Sequence, residues 1–227
     1  MRVFKTGIHP LDVQLGGGIP GGSVVLILEE PGAGGEVLSY HFAIEGSNSG
    51  ENVLYIATDD SEKDLKRNIN LYFLNYQEFT LISLKNREEG DARGYLKKTM
   101  HDPLGGIKTI IKNERFDRTV VNNLTYFFFN YAVEDVSSLV KFFLSDAKEK
   151  ESAYLLLLTK GMLDEKIETM MKHLCDGVIE LSLKEADHEI QRRMKFIKFK
   201  GIIVPRAVIR YDLTDKGVKM ESTMRVI

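Results

Sequence analysis

Cysteine is nearly absent. Cys175 stands alone in 227 residues, which excludes an internal disulfide and any cysteine-rich metal centre and fits a reducing cytoplasm. There is no tryptophan, proline occurs five times, and no apolar run is long enough to cross a bilayer. The opening Met-Arg-Val-Phe-Lys-Thr-Gly lacks the apolar stretch of a signal peptide. Net charge is also small, −2, so nothing global draws the chain to nucleic acid or anionic lipid. The histidines (His9, His41, His101, His173, His188) are scattered without ligand spacing, so no metal site is expected. What remains is a 43% apolar chain whose length suits one domain, residues 1–227, with a full core.

The chain is organised around residues 23–37. The β-branched run Val24–Leu28 stops at a turn rich in proline and glycine, and helical spacing begins with Val37, Leu38, His41 and Phe42. Strand, glycine loop, helix is the layout of a phosphate-binding P-loop, G-x-x-x-x-G-K-[ST]. That pattern falls on Glu29, Glu30, Pro31, Gly32, Ala33, Gly34, Gly35 and Glu36. Gly34 fits the second glycine. The first glycine is Glu29, the lysine is Gly35 and the hydroxyl residue is Glu36, so the frame is present without its charged chemistry.

Apolar runs at Val53–Thr58, Phe79–Leu84, Thr119–Leu124, Tyr154–Thr159 and Gly177–Leu183 predict further strands. Helical spacing predicts a short turn holding Leu11 and Leu15, and a helix from Val37 that ends at the turn 46–50. It predicts further helices from Ser61 (N-cap, with Asp64 three residues on), over Ile107–Asn113, Val133–Lys150 and Leu163–Cys175. Residues 85–105 read as a loop with a short exposed helix; Tyr126–Tyr131 reads as an aromatic core segment. Residues 190–200, 206–213 and 218–226 read as a β-rich tail. Solid apolar strands alternating with helices mean an α/β fold: a mostly parallel twisted sheet with helices on both faces and an antiparallel C-terminal extension.

Four stretches carry a family resemblance: Thr6-Gly7-Ile8-x-x-Leu11-Asp12-x-x-Leu15-x-Gly17-Gly18-Ile19-Pro20-x-Gly22, Glu30-Pro31-Gly32-x-Gly34, Asp176-Gly177-Val178-Ile179, and Lys198-x-Lys200-Gly201 with Leu213-Thr214-Asp215-Lys216-Gly217. The chain resembles the KaiC-like branch of the RecA superfamily, abundant in archaea and related to the RadA and RadB recombinases. The resemblance implies a RecA-like ATPase core assembled in rings, with nucleotide held between subunits. In that family the P-loop lysine neutralises phosphate and the next hydroxyl ligates Mg²⁺; here these are Gly35 and Glu36. The Walker B aspartate falls on Asn122, after Val120-Val121. The acidic pair that activates water falls on Asp59 and Asp60. The finger pair sent into a neighbour's site falls on Lys198 and Lys200.

Lysine to glycine and threonine to glutamate remove one positive charge and add one negative charge where a triphosphate would sit. Two like charges near 4 Å cost about 4 kcal/mol at an effective dielectric near 20. The expectation is therefore a pseudo-ATPase, with no cofactor and ATP/Mg bound at most weakly. It would act as a regulatory or interaction module joined to its own copies or to a related RecA/KaiC-like subunit. A weak ATPase in DNA repair or signalling is the alternative. A nucleic-acid-binding accessory of recombination is a third, less favoured because strand alternation splits the cluster Arg192, Arg193, Lys195, Lys198, Lys200. No membrane partner is expected. An emptied loop leaves backbone donors to satisfy, so Glu36, or Glu29 across the turn, is expected to supply the charge a phosphate once did.

Overall fold

A computed structural model describes residues 2–73, 76–85, 102–186 and 189–220. Nine strands form one sheet. In chain order the elements are β1 (Val3–Phe4), α1 (His9–Gln14), β2 (Ile19–Pro20), β3 (Ser23–Glu29), α2 (Gly35–Asn48), β4 (Val53–Ala57), α3 (Glu62–Tyr72) and β5 (Thr80–Ser83). They continue with α4 (Pro103–Asn113), β6 (Arg118–Asn122), α5 (Thr125–Asn130), α6 (Val133–Lys150), β7 (Ala153–Thr159), α7 (Glu165–Leu174), β8 (Gly177–Ala186), β9 (Glu189–Phe199), β10 (Ile209–Thr214) and β11 (Gly217–Met220). The main sheet runs β11-β10-β9-β8-β3-β7-β6-β4-β5, and β1 pairs with β2 in a small separate sheet. From β8 to β5 every pairing is parallel; β8, β9, β10 and β11 pair antiparallel.

The solid apolar strands are buried on both faces, as parallel strands under helical cover must be. Alternation sorts their side chains into two cores. Val25, Ile27, Tyr55, Val120, Leu155 and Leu157 face the side of α2, while Val24, Leu26, Ile56, Val121, Leu156 and Leu158 face α4, α6 and α7. Helix α2 is buried almost all round, from Val37 through Ile44. It is enclosed because the antiparallel extension curls over it: the Val218 amide reaches the His41 ring. A bulge opposite Val178 and Ile179 shifts β9 by one residue, so Phe199 rejoins Met194 and Phe196 on the core face.

Most expected elements are present, with shifted ends. Helix α2 does not stop at Gly46 but runs through it to Asn48. Helix α4 begins at Pro103, capped by the Asp102 carboxylate on the Gly105 amide, four residues before the expected start. The strand expected over 119–124 stops at Asn122, and the helix expected from Leu163 starts at Glu165. The aromatic run folds as helix α5 and buries Phe127 and Phe128, while Phe129 is exposed. The expectations for 86–101, His101, His188 and the tail beyond Met220 lie outside the described residues.

Candidate phosphate-loop site

The motif residues meet at the carboxyl edge of the parallel strands, the usual place for a site in an open α/β sheet. Glu29 ends β3, Asp59 and Asp60 follow β4, Asn122 ends β6, and Gly35 and Glu36 open α2. The loop between β3 and α2 keeps the shape its glycines permit. Gly32 and Gly34 sit at φ 85° and 93°, in the left-handed region that disfavours any Cβ. The extension clamps the loop from above. The Tyr211 hydroxyl donates to the Ala33 carbonyl at 2.6 Å, Arg192 Nε donates to the Gly32 carbonyl at 3.3 Å, and Leu213 lies where a Cβ on Gly34 would be.

Of the two carboxylates expected to fill the loop, Glu29 faces the amide. Its Oε2 accepts the Gly35 N–H at 2.7 Å. A Cβ built on Gly35 would lie 2.6 Å from that same oxygen, so the carboxylate occupies the volume a residue-35 side chain would need. Burial pushes the Glu29 carboxyl up to about 7, with the Gly35 amide opposing and the charge of Glu36 adding to the rise.

Glu36 turns the other way. It accepts hydrogen bonds from the Tyr40 hydroxyl, one helical turn on, and from Asn122 Nδ2 at 3.4 Å. Burial raises its carboxyl above the ordinary range, Tyr40 and Asn122 oppose this, and neighbouring Asp60 reinforces it. Asp59 is exposed and accepts from Asn123 Nδ2 at 2.7 Å. Asn123 itself has φ 145°, a backbone strain at the end of β6 beside the site.

Glu30 leaves the site: its carboxylate receives the Leu183 amide at 2.8 Å and Lys160 at 3.3 Å, and Lys160 also reaches Glu180 at 2.7 Å. Lys198 donates to the His173 carbonyl at the end of α7, and Lys200 pairs with Asp176 at 2.7 Å. Both lysines therefore have partners within this chain. No group of three or more His, Cys, Asp or Glu among the described residues is placed to hold a metal ion.

Sequence reasoning missed Tyr40 and Tyr211, and it named Arg192 and Leu213 without placing them at the loop. Tyr40 was findable as the i+4 neighbour of Glu36 on a helix. The others reach the loop from strands more than 150 residues away in sequence, with no local signal.

The family is decided by a profile match. A family model described as "ATPase: KaiC" matches residues 4–224. The chain belongs to the KaiC family. A UPF0273 protein of Pyrococcus furiosus is 25% identical across 96% of this chain and 93% of its own length. A UPF0273 protein of Thermotoga maritima is 24% identical across 96% and 95%. The circadian clock oscillator protein KaiC of Thermostichus vulcanus is 22% identical across 97% of this chain, which spans 43% of that longer protein. A KaiC-like protein of Pyrococcus horikoshii has the same fold, with TM-score 0.77 at 17% identity over 97% of this chain and 99% of that one.

In this KaiC-family chain buried His41 and half-buried Glu29 set opposing pH dependences, with Glu36 acting in the sense of Glu29. His41 Nε2 accepts the Val218 N–H at 2.9 Å and its ring meets Phe73 edge-on at 4.6 Å. Burial lowers its pKa from 6.5 to about 4, against a hydrogen bond with the Gly7 backbone. The folded state thus binds fewer protons than the unfolded one at His41, and stability falls as pH drops from 6.5 toward 4. At Glu29, raised from 4.5 to about 7, the folded state binds more protons, and stability falls as pH rises through that window. The two slopes offset each other between pH 4.5 and 6.5. Glu29→Gln should unmask the histidine, changing the pH slope of unfolding free energy by about 1.4 kcal/mol per pH unit. Urea unfolding at several pH values checks this, and identical slopes in the two proteins would refute it.

Proposed function

We propose that this KaiC-family domain is a pseudo-ATPase, a non-hydrolysing regulatory or interaction module in the cytoplasm that assembles with its own copies or with a related RecA/KaiC-like subunit. The observation that carries the reading is the Glu29 carboxylate seated on the Gly35 amide, with Glu36 at the position where the family places a hydroxyl. Mg-ATP fits these residues poorly. A γ- or β-phosphate would meet a buried carboxyl and find no lysine, and the Mg²⁺-side position Asn122 is engaged by Glu36. Asp60, ancestrally a water activator, lies against Glu36 instead.

The nucleic-acid reading draws less support. Arg192 is committed to the Gly32 carbonyl, Lys198 to the end of α7, and Lys200 to Asp176. No described helix is long and apolar enough to cross a membrane. Cys175 is buried, and burial pushes its thiol up to about 12, an inert form suited to a reducing compartment.

The expected result is phosphate release from Mg-ATP at buffer background, and no Mg-ATP binding heat at micromolar protein. Turnover that is abolished by Asp60→Ala in a folded variant would overturn the proposal.

A further inference from the structure

Glu29 and Gly35 stand at the two loop positions where a P-loop carries glycine and lysine, and they have been exchanged in a complementary sense. The large acidic side chain sits where the small residue was, and the small residue sits where the large basic one was. The geometry explains why they go together: a Cβ at residue 35 would lie 2.6 Å from the Glu29 carboxylate, which would have to swing off the Gly35 amide to make room. The loop around them is not collapsed. Gly32 and Gly34 retain left-handed conformations, and Tyr211, Arg192 and Leu213 hold the turn in place from β9 and β10.

We propose that the Glu29 side chain is an internal plug, an autoinhibitory contact that seats a carboxylate on the loop amide where an outside phosphate would be received. This deepens the pseudo-ATPase reading and rests on it. Loss of the lysine alone would leave a weak anion site, whereas the plug closes it. Among the described residues no cation acts on the plug within the loop. The groups that bear on it are Glu36 from α2, whose charge repels it, and Tyr211 from β10, whose hydroxyl is turned to Ala33; Arg192 from β9 is directed at the Gly32 carbonyl. Among the described residues the Gly35 N–H is the hydrogen-bond donor that its carboxylate meets. A contact of this kind weakens when the carboxyl is protonated and is lost when it is removed.

The test uses the full chain and inorganic pyrophosphate without Mg²⁺. Glu29→Gly, which restores the family residue, should bind pyrophosphate about 100-fold more tightly than wild type at pH 8, through loss of one like charge near the bound anion. Glu29→Gln, which keeps the size and removes the charge, serves if the glycine variant folds poorly, and should also gain affinity. The Gly35 amide resonance gives a readout independent of any ligand. In wild type it should shift between pH 5 and 9, and in Glu29→Gln the shift should shrink to what the neighbouring Glu36 alone produces. Pyrophosphate affinity unchanged in both variants, or a Gly35 resonance indifferent to pH in wild type, would overturn the plug. The pseudo-ATPase reading has its own test and fails separately, if the wild-type chain turns over Mg-ATP.

Discussion

Restoring Mg-ATP binding should take three substitutions, Glu29→Gly, Gly35→Lys and Glu36→Thr together, and not the exchange of Gly35 and Glu36 alone. Gly35→Lys with Glu36→Thr supplies the missing ammonium and hydroxyl but leaves Glu29 in place. The introduced side chain would then start 2.6 Å from the Glu29 carboxylate, and its ammonium would have a ready partner in that carboxylate instead of a phosphate. Removing Glu29 frees both the volume and the charge. With about 4 kcal/mol for a close charge pair at an effective dielectric near 20, the triple variant should bind Mg-ATP at least ~1000-fold more tightly than wild type. The double variant should show only a small part of that gain. Phosphate release should stay at background in both, because Asn122 still stands at the end of β6 where the family's Mg²⁺-shell carboxylate belongs. Calorimetric titration separates the cases. Equal affinity in the double and triple variants would mean that Glu29 does not govern the site, and no gain in either would mean that the loop has lost its capacity for phosphate altogether.

The frame of this site was legible because it is local. A β-branched run, a glycine turn and a helical period are written within fifteen residues, and the parallel core follows from strands that are apolar on both faces. What the local pattern does not carry is which carboxylate turns inward. Glu29 and Glu36 are equally placed by spacing, and the outcome depends on partners elsewhere. Tyr40 and Asn122 draw Glu36 toward β6, which leaves the Gly35 amide to Glu29. The clamp from β9 and β10 was illegible for the same reason. Helix α5 was missed because six consecutive aromatic and polar residues show no period at all.

Gly46 misled in a more instructive way. A glycine followed by Ser-Asn-Ser-Gly reads as a helix stop, yet α2 continues through it. A Cβ at residue 46 would lie 2.5 Å from Cδ and Nε of Arg118, so the glycine is a packing slot for a side chain 72 positions later, not a breaker. Composition alone does not distinguish these two uses of glycine.

Arg118 should therefore be among the costliest residues in the chain to truncate. It opens β6, is 1% exposed, and pairs with Glu51. Its guanidinium also donates to the Lys5 carbonyl at 2.5 Å and the Phe42 carbonyl at 2.9 Å, and it lies over the rings of Phe42 and Phe4 at 4.6 and 5.4 Å. Burial lowers its pKa and Glu51 opposes that shift, the pattern of a desolvated cation held by its partner. Arg118→Ala leaves Glu51 with the longer Arg2 contact at 3.4 Å, takes the guanidinium donor from the Lys5 and Phe42 carbonyls, and opens a cavity beneath α2. A destabilisation of about 3–5 kcal/mol is expected. Arg118→Lys should recover little of it, since an ammonium cannot span Glu51 and two carbonyls while stacking on Phe42. Gly46→Ala turns this into a test of packing. In wild type the added methyl collides with Arg118 and should destabilise. In the Arg118→Ala background the contact with Arg118 is gone while a 2.9 Å approach to Val53 Cγ2 remains, so the same substitution should cost clearly less, the helix preference of up to about 1 kcal/mol for alanine over glycine offsetting what is left. Denaturant unfolding of the four proteins closes the cycle. If Gly46→Ala costs as much in both backgrounds, Gly46 is not there for Arg118, and the path of α2 through it needs another cause.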